Sequence, residues 1–323
     1  MALLRIIKPG LLTTIQDRGR FHYQKWGVPV AGAMDEYALR VGNILVGNHE
    51  NEGALEITLF GPEIEFLAPG LVAITGADLG ARLNDLDCAL WRSFRVRKGD
   101  ILQFTGLRSG CRAYLAVAGG FKIPEIMGSK STYLRGSIGG MDGRALREGD
   151  ELENEIQVNN INLTVREAPP AYRYKPANSQ VVRVILGPQH DAFTQEGIMT
   201  FLDSEYKVAP ESDRMGCRLD GPAIRHKNGA DIISDGIAMG SIQVPGNGKP
   251  IIMLADRQTT GGYAKIATVI TPDLWKIAQA KPGDSLRFTK VTLEQAHKIY
   301  RQYENNIRIL AAKFNGANGT RPE

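Results

Sequence analysis

The sequence lacks the features that mark membrane proteins, nucleic-acid-binding proteins and zinc hydrolases. No apolar stretch approaches the ~18 residues that a membrane-spanning helix needs, so we expect no membrane segment. The net charge is only +4, and the basic residues are scattered rather than gathered into a stripe, which argues against a nucleic-acid partner. The five histidines show no His-Glu-x-x-His or similar pairing, so we expect no metal site.

Cysteine and aromatic residues are also scarce. The three cysteines, Cys88, Cys111 and Cys217, are odd in number and lack metal-ligand spacing, which predicts reduced and mostly buried thiols. The N-terminal stretch contains neither the apolar core nor the cleavage site of a signal peptide, so the sequence predicts a cytoplasmic protein. Glycine is abundant at 36 residues while aromatics make up 7%, a balance that predicts many tight turns.

Short apolar runs between turn signals predict a mainly β protein. Their spacing favours barrels or sandwiches over a doubly wound parallel sheet. The predicted strands are Ala54–Phe60, Leu71–Thr75, Ile101–Phe104, Arg112–Val117, Val181–Leu186, Ile251–Leu254 and Ile266–Ile270. Helices are few: Asp35 is predicted to cap one that ends at Gly47, Thr271 precedes a short one, and Thr292–Gln295 is a capping box.

Internal echoes predict two related halves. A Gly-Asp turn that enters a strand occurs at Gly99-Asp100, Gly149-Asp150 and Gly283-Asp284. The most linker-like stretch, residues 167–178, is proline-rich and falls near the middle of the chain. We therefore predict two β halves, residues 1–168 and 177–323, with a C-terminal helix after Thr292 that lies outside the barrels.

A polar segment after the apolar run that begins at Pro250 is the strongest candidate for a site. It places a carboxylate, a guanidinium, an amide and several hydroxyls beside a glycine pair whose amides could bind an anion or oxyanion. The candidate residues are Asp256, Gln258, Thr259, Thr260, Gly261, Gly262 and Tyr263, together with Gln243 from the preceding Gly240–Pro245 run. A tight turn capped by Asp256 is an equally good interpretation of this string.

Three further groups could contribute to a pocket. Gln16, Asp17 and Arg20 follow the first short strand, and could orient a substrate or form an ion pair that braces a loop. Arg214 could supply positive charge, or pair with a neighbouring aspartate. Ser129 and Thr132 lie in a Gly-Ser-Lys-Ser-Thr string that lacks the glycines of a nucleotide-binding loop; it could hold a ligand or form a flexible surface turn.

Taken together, these motifs resemble the biotin-dependent carboxyltransferase family, which includes allophanate hydrolase subunit 2 and the carboxyltransferase region of urea carboxylase. The matching pieces are Gln16-Asp17-x-Gly19-Arg20, Gly27–Asp35, Asn43–Asn48, Ala54-Leu-Glu56, Ala118-Gly-Gly120, Gly128-Ser-x-Ser-Thr132, Ser212-Asp-Arg-Met-Gly216, Gln243-Val-Pro245 and Asp256-x-Gln258-Thr-Thr-Gly-Gly-Tyr263. The resemblance spans roughly residues 3–295 and implies tandem cyclophilin-like β-barrels with a ligand cleft.

The resemblance also implies a function within a larger complex. The chain has no biotinylation segment and no ATP-binding loop, so it must borrow both if it uses them. A free-standing member most resembles the C subunit of bacterial 5-oxoprolinase, which opens the lactam of 5-oxo-L-proline to L-glutamate at the expense of ATP. This implies two partner subunits, the A subunit and a B subunit similar to allophanate hydrolase subunit 1, and no cofactor bound by this chain itself.

Other functions implied by the resemblance stay open. The chain could be the carboxyltransferase component of a biotin-dependent urea or amide carboxylase. It could also be a non-catalytic binding module that antagonises a histidine-kinase inhibitor, while prolyl isomerase activity rests on fold alone.

The residues expected at the site come from distant parts of the sequence. For catalysis we expect Arg214, Asp256, Gln258 and Tyr263, with Arg214 binding an anion or oxyanion. For substrate binding we expect Gln16, Asp17, Arg20, Ser129, Thr132, Gln243, Thr259, Thr260, Gly261 and Gly262. The sequence predicts that these polar groups, at strand ends and glycine turns, converge on one cleft.

Overall fold

A computed structural model describes residues 2–156 and 164–315 of the chain. The protein is mostly β, as predicted, and its described part contains twenty strands and four α-helices. The strands are β1 (Ala2–Lys8), β2 (Leu12–Gln16), β3 (Ala54–Thr58), β4 (Glu63–Phe66), β5 (Gly70–Asp78), β6 (Ala81–Leu83), β7 (Leu86–Asp87), β8 (Arg92–Val96), β9 (Ile101–Phe104), β10 (Ser109–Val117), β11 (Glu151–Glu153), β12 (Ser179–Leu186), β13 (Glu205–Val208), β14 (Gly216–Asp220), β15 (Asp231–Gly236), β16 (Ser241–Gln243), β17 (Ile251–Met253), β18 (Thr260–Tyr263), β19 (Lys265–Val269) and β20 (Ser285–Lys290). The helices are α1 (Glu36–Val46), α2 (Gln195–Asp203), α3 (Leu274–Gln279) and α4 (Leu293–Asn315).

The chain divides into two compact units. The first unit comprises Met1–Arg20, Ala31–Pro176 and Glu304–Glu323, and the second comprises Phe21–Val30 and Ala177–Tyr303. The chain passes from the first unit to the main part of the second between Pro176 and Ala177, within the proline-rich stretch that the sequence shows. The domain boundaries 1–168 and 177–323 stay a prediction.

The first unit is built from two antiparallel sheets and α1. One sheet has the strand order β11-β1-β4-β9-β6-β7 and the other the order β2-β3-β10-β5-β8. Strands β5 and β10 are buried along almost their whole length, because they lie centrally in their sheet and α1 packs against them. The helix begins as predicted, since the Asp35 side chain accepts a hydrogen bond from the Ala38 amide, and it ends at Gly47 in the left-handed conformation.

The second unit contains a closed seven-stranded barrel with the order β12-β19-β16-β17-β14-β13-β20. The barrel closes through the parallel pair β12 and β20, whereas its other pairs are antiparallel. Phe201 of α2 stacks on Phe288 of β20 with ring centroids 4.5 Å apart, so α2 packs against this strand of the barrel. Strands β15 and β18 form a separate two-stranded sheet that carries part of the polar segment.

The predicted Gly-Asp repeat is one turn used three times. Asp100, Asp150 and Asp284 each accept a hydrogen bond, at 2.7, 2.7 and 3.1 Å, from the backbone amide three residues earlier. The glycine before each aspartate has φ between 84° and 89°. The turn therefore recurs in both units, while duplication of the complete halves stays a prediction.

Helix α4 begins with the predicted capping box. The Gln295 amide donates to Thr292 Oγ1 at 3.2 Å, and the Thr292 amide donates to Gln295 Oε1 at 2.8 Å. Within the first unit, Glu304 accepts two hydrogen bonds from the buried Arg40 guanidinium, at 2.7 and 2.8 Å. Because Ile307 and Leu310 are fully buried as well, the end of the helix is an integral part of the first unit.

Candidate functional site

The Asp17 carboxylate organises a buried loop in the first unit. It follows β2, the second strand rather than the first, because Pro9 and Gly10 separate β1 from β2. Its Oδ1 accepts hydrogen bonds from the Ser129 and Ser131 hydroxyls and from the Gly19 amide, and its Oδ2 accepts from the Lys130 amide at 2.7 Å. Asp17 therefore binds the 129–131 segment to the end of β2.

Arg20, Gln16 and Thr132 belong to the same buried arrangement. The Arg20 guanidinium donates to the Ser131 carbonyl, and Gln16 Nε2 donates to the Thr132 carbonyl at 3.1 Å. The Thr132 hydroxyl donates to the Ile15 carbonyl at 3.0 Å. Gly139 packs directly against the Ser131 backbone, and a Cβ at this position would lie 2.1 Å from the Ser131 carbonyl oxygen. Its φ of +71° also favours glycine.

These contacts bring together every site residue predicted in the first unit, but they also use most of their polar atoms. Ser129 and Thr132 are fully buried, so the alternative of a flexible surface turn is wrong. Gln16 Oε1 is one buried atom of the set that accepts no hydrogen bond from a described residue. A direct role in substrate binding stays a prediction for this set.

Lys130, which sequence reasoning considered only as part of a failed nucleotide loop, is buried in this cluster. Its ammonium donates to Glu52 Oε1 at 2.7 Å, to the Phe121 carbonyl at 2.9 Å and to Glu155 Oε2 at 3.2 Å. Burial alone would lower the pKa of Lys130, but the two carboxylates outweigh it and raise that pKa. Lys130 is therefore a charged structural anchor.

In the second unit, Arg214 and Asp256 form a buried bidentate ion pair. Nε and Nη2 of Arg214 donate to the two carboxylate oxygens of Asp256 at 3.0 and 2.9 Å, and the Asp256 amide donates to the Arg214 carbonyl at 2.9 Å. Their side chains are only 7% and 6% exposed. The structure thus places these two residues in contact, although 42 positions separate them in the sequence.

Two glutamine side chains approach the backbone at Gly261. A Cβ at this position would lie 2.9 Å from Gln243 Nε2, 3.4 Å from Gln258 Nε2 and 2.6 Å from Ile237 Cδ1, so only glycine permits this packing. Gln243 Nε2 also donates to the Tyr263 carbonyl at 3.3 Å. Gln243, Gln258 and Gly261 therefore lie together with the Tyr263 carbonyl in the second unit, while their role as a site stays a prediction.

Thr259, Thr260 and Gly262 contribute to this region mainly through the backbone. The Thr259 carbonyl accepts a hydrogen bond from the Ile237 amide at 3.0 Å, and Thr260 pairs with Gly236 across the two-stranded sheet. Gly262 lies within β18, between Gly261 and Tyr263. The threonine hydroxyls are at or near the surface, so a role for them in binding stays a prediction.

Arg257 is the guanidinium of the polar segment, and the sequence analysis did not include it among the predicted site residues. The residue is 7% exposed. Nε donates to the Ile237 carbonyl at 2.9 Å and Nη1 donates to the Leu254 carbonyl at 3.1 Å, and both acceptors are uncharged. Burial lowers the pKa of Arg257 to about 10. Its position inside the Asp256-x-Gln258 motif was visible in the sequence, but its burial was not.

A second buried cation, Lys265, was also missed. Its ammonium lies 3.0 Å from Asp235 Oδ2, and Gln189 Nε2 donates to the same oxygen at 3.2 Å. Asp235 pairs with Gly261 across the two-stranded sheet, which places this ion pair beside the glutamine region. The pKa of the exposed Asp235 carboxyl is lowered, chiefly by its hydrogen bond from Lys265.

The predicted site residues thus form two sets, one in each unit, and convergence of all of them on one cleft stays a prediction. In the part of the chain that the structure describes, no group of three or more histidine, cysteine, aspartate or glutamate side chains could hold a metal ion. None of the described helices combines the length and the apolar character that a membrane-spanning helix requires.

The chain belongs to the carboxyltransferase family. Residues 26–290 match the family model described as "Carboxyltransferase domain, subdomain A and B". This range includes the barrel of the second unit and most of both sheets of the first.

Several members of this family are similar over nearly the whole chain. The C subunit of 5-oxoprolinase from Escherichia coli is 37% identical over 98% of this chain and 100% of its own length. The protein of the same name from Haemophilus influenzae is 39% identical over 90% of this chain and 92% of its own length. The crystal structure of Kluyveromyces lactis urea amidolyase superimposes with a TM-score of 0.89 at 32% identity, and the match covers 96% of this chain but only 20% of that one.

Proposed function

We propose that this chain is a subunit of an ATP-dependent 5-oxoprolinase complex, which opens the lactam of 5-oxo-L-proline to L-glutamate. The observation that carries the proposal is the end-to-end match to the C subunit of the Escherichia coli enzyme, which covers that protein completely. By comparison, the match to the urea amidolyase structure covers only about a fifth of that chain.

The chemistry of the second unit supports this proposal. In lactam hydrolysis, water adds to the carbonyl carbon, the carbonyl oxygen becomes an oxyanion, and the carbon–nitrogen bond then breaks as nitrogen gains a proton. Preorganised N–H donors lower the barrier by stabilising that oxyanion. The side-chain amides of Gln243 and Gln258 approach Gly261, and Gln243 Nε2 is held there by its hydrogen bond to the Tyr263 carbonyl. In this proposal the two amides would supply such donors.

Arg214 and Asp256 would have linked roles in this proposal. Because both Asp256 oxygens accept hydrogen bonds from Arg214, the carboxylate fixes the direction of the guanidinium. Asp256 would thus act on the reaction chiefly by positioning Arg214, and the Arg214 charge would stabilise the developing negative charge. Tyr263 is 41% exposed at the end of β18, where it could contact a bound substrate.

Reconstitution tests the proposal. We expect no ATP hydrolysis and no glutamate release from the purified chain, none from A and B subunits alone, and ATP-dependent glutamate release from 5-oxoproline when all three are combined. Full activity of the isolated chain, or of the other subunits without it, would contradict the proposal.

The family match favours one second candidate. Kluyveromyces lactis urea carboxylase superimposes on 96% of this chain with a TM-score of 0.90. The chain could therefore be a carboxyltransferase component that works with a biotin-carrying partner. A lactam and the ureido group of biotin both present a carbonyl oxygen to N–H donors, so Gln243 and Gln258 fit either ligand. Biotin-dependent carboxylation of urea by the reconstituted complex would favour this second candidate.

The proposed complex is cytoplasmic. A reducing compartment suits the three cysteines, which form no disulfide with one another and of which Cys111 and Cys217 are buried. The proposed partners are the A and B subunits, with ATP consumed by the complex as a whole.

A further inference from the structure

Arg257 carries a buried positive charge that no described carboxylate neutralises. Its two hydrogen bonds go to backbone carbonyls, at 2.9 and 3.1 Å, and its Nη2 donates to no described residue. Transfer of an unpaired charge from water to the protein interior is unfavourable, so buried guanidiniums are normally paired with an anion. Such an exception marks a candidate functional site.

The neighbouring carboxylate does not supply the missing charge. Both oxygens of Asp256 are bound by Nε and Nη2 of Arg214, at 3.0 and 2.9 Å. Arg214 and Arg257 are thus both buried on either side of Asp256 in this part of the second unit, and the Asp256 carboxylate is hydrogen-bonded to Arg214. Burial lowers the pKa of Arg257 to about 10, in agreement with this geometry.

The Arg257 side chain is also fixed in direction. Its Nε bond to Ile237 and its Nη1 bond to Leu254 hold the guanidinium between the segment after β15 and the end of β17. Ile237 packs against Gly261, where the amides of Gln243 and Gln258 approach. A guanidinium that is already fixed in orientation loses little conformational entropy when it binds an anion, and its planar geometry matches that of a carboxylate.

We propose that Arg257 binds the carboxylate of the small-molecule substrate, next to the glutamine amides that face its carbonyl group. The proposal deepens the proposed function and rests on it for the identity of the ligand. 5-Oxoproline carries one carboxylate, whereas urea is neutral and offers none. A carboxyl group delivered by a partner subunit has the same chemistry, so the test must separate these two sources.

Binding to the full chain provides the test. Dissociation constants are measured by NMR titration for 5-oxoproline, for 2-pyrrolidinone, which is the same lactam without the carboxylate, and for acetate. We expect 5-oxoproline to bind the wild type at least ~10-fold more tightly than 2-pyrrolidinone does. Arg257→Gln should weaken 5-oxoproline binding by about 10- to 100-fold and leave 2-pyrrolidinone binding nearly unchanged.

Two further variants separate charge from folding. Arg257→Lys keeps the charge but loses the fork, so it should recover part of the preference for 5-oxoproline. Arg218→Gln is the matched control, because Arg218 lies on β14 with an exposed side chain, and this variant should bind all three ligands as the wild type does. If the wild type and Arg257→Gln prefer 5-oxoproline over 2-pyrrolidinone by the same factor, the proposal is wrong.

A measurement on the wild type covers the case in which Arg257→Gln does not fold. Phenylglyoxal modifies arginine side chains, and peptide mapping reports the modification rate of Arg257 itself. 5-Oxoproline and acetate should slow that rate at concentrations at which 2-pyrrolidinone has no effect. Protection by neither carboxylate would overturn the inference.

The outcomes for the two proposals differ. If acetate binding and protection depend on Arg257 but 5-oxoproline does not bind, the carboxylate site stands and the proposed 5-oxoprolinase function fails. If the reconstituted complex hydrolyses 5-oxoproline with the same KM in the wild type and in Arg257→Gln, the function stands and the role of Arg257 fails. A raised KM with little change in kcat supports both.

Discussion

Removing one partner of the buried pair between Arg214 and Asp256 should lower the free energy of unfolding far more than replacing both partners with apolar residues. Asp256→Asn keeps the shape of the side chain but removes the buried negative charge that Arg214 binds. It weakens two charge-assisted hydrogen bonds, each of which contributes about 1.5–3 kcal/mol. We therefore expect the free energy of unfolding to fall by about 3–5 kcal/mol, as for other buried pairs that lose one partner.

The double variant Arg214→Met/Asp256→Leu removes both charges and their desolvation costs together. We expect it to be within about 2 kcal/mol of the wild type, although Arg214→Met alone should be destabilised by about 3–5 kcal/mol. The coupling energy in this cycle should accordingly be several kcal/mol, well above the ~0.5 kcal/mol seen for independent sites.

Urea unfolding of the wild type, the two single variants and the double variant, followed by circular dichroism and tryptophan fluorescence, measures this cycle. Arg218→Met, at an exposed position on β14, should change stability by less than about 0.5 kcal/mol. Additive effects of the single substitutions would refute the reasoning, because they would mean that the two side chains do not depend on each other. Loss of turnover in the reconstituted complex is interpretable for the single variants only where they remain folded.

Three other predictions follow from the described contacts. Asp17→Ala should destabilise the first unit by about 3–5 kcal/mol in urea unfolding, because it leaves several buried donors without an acceptor, whereas the exposed Asp191→Ala should have little effect. Burial raises the pKa of Asp273, but hydrogen bonds from Arg183 outweigh it and lower that pKa. The contribution of this carboxylate to stability is therefore present above about pH 4 and is lost as the pH falls through the lowered pKa. The difference in the free energy of unfolding between the wild type and Asp273→Asn should shrink as the pH falls from about 6 to about 2, and a constant difference would contradict this. Burial raises the pKa of the Cys88 thiol to about 11, so iodoacetamide should alkylate it at about pH 8 roughly 100-fold more slowly than free cysteine. Alkylation of Cys88 at the rate of free cysteine would contradict this.

Local chemistry alone determined the secondary-structure signals of this protein. Asp35 caps α1, Thr292 and Gln295 form the capping box of α4, and all seven predicted strands are present, because these features depend on residues only a few positions apart. The joint pattern of motifs also identified the carboxyltransferase family, which the comparisons confirm. The repeated Gly-Asp turn could also be predicted from the sequence, since a glycine and an aspartate suffice to form it.

Only the tertiary structure decided what the polar residues of the candidate site contact. The sequence placed Asp17 near Arg20 and Arg214 near Asp213, whereas the fold binds Asp17 to the 129–131 loop and pairs Arg214 with Asp256. Burial decided the rest, because the charge on Arg257 becomes significant only when β17 and the segment after β15 enclose it. Contacts between residues far apart in the chain, and the exclusion of water from them, are set by the folded structure and cannot be predicted from a local sequence pattern.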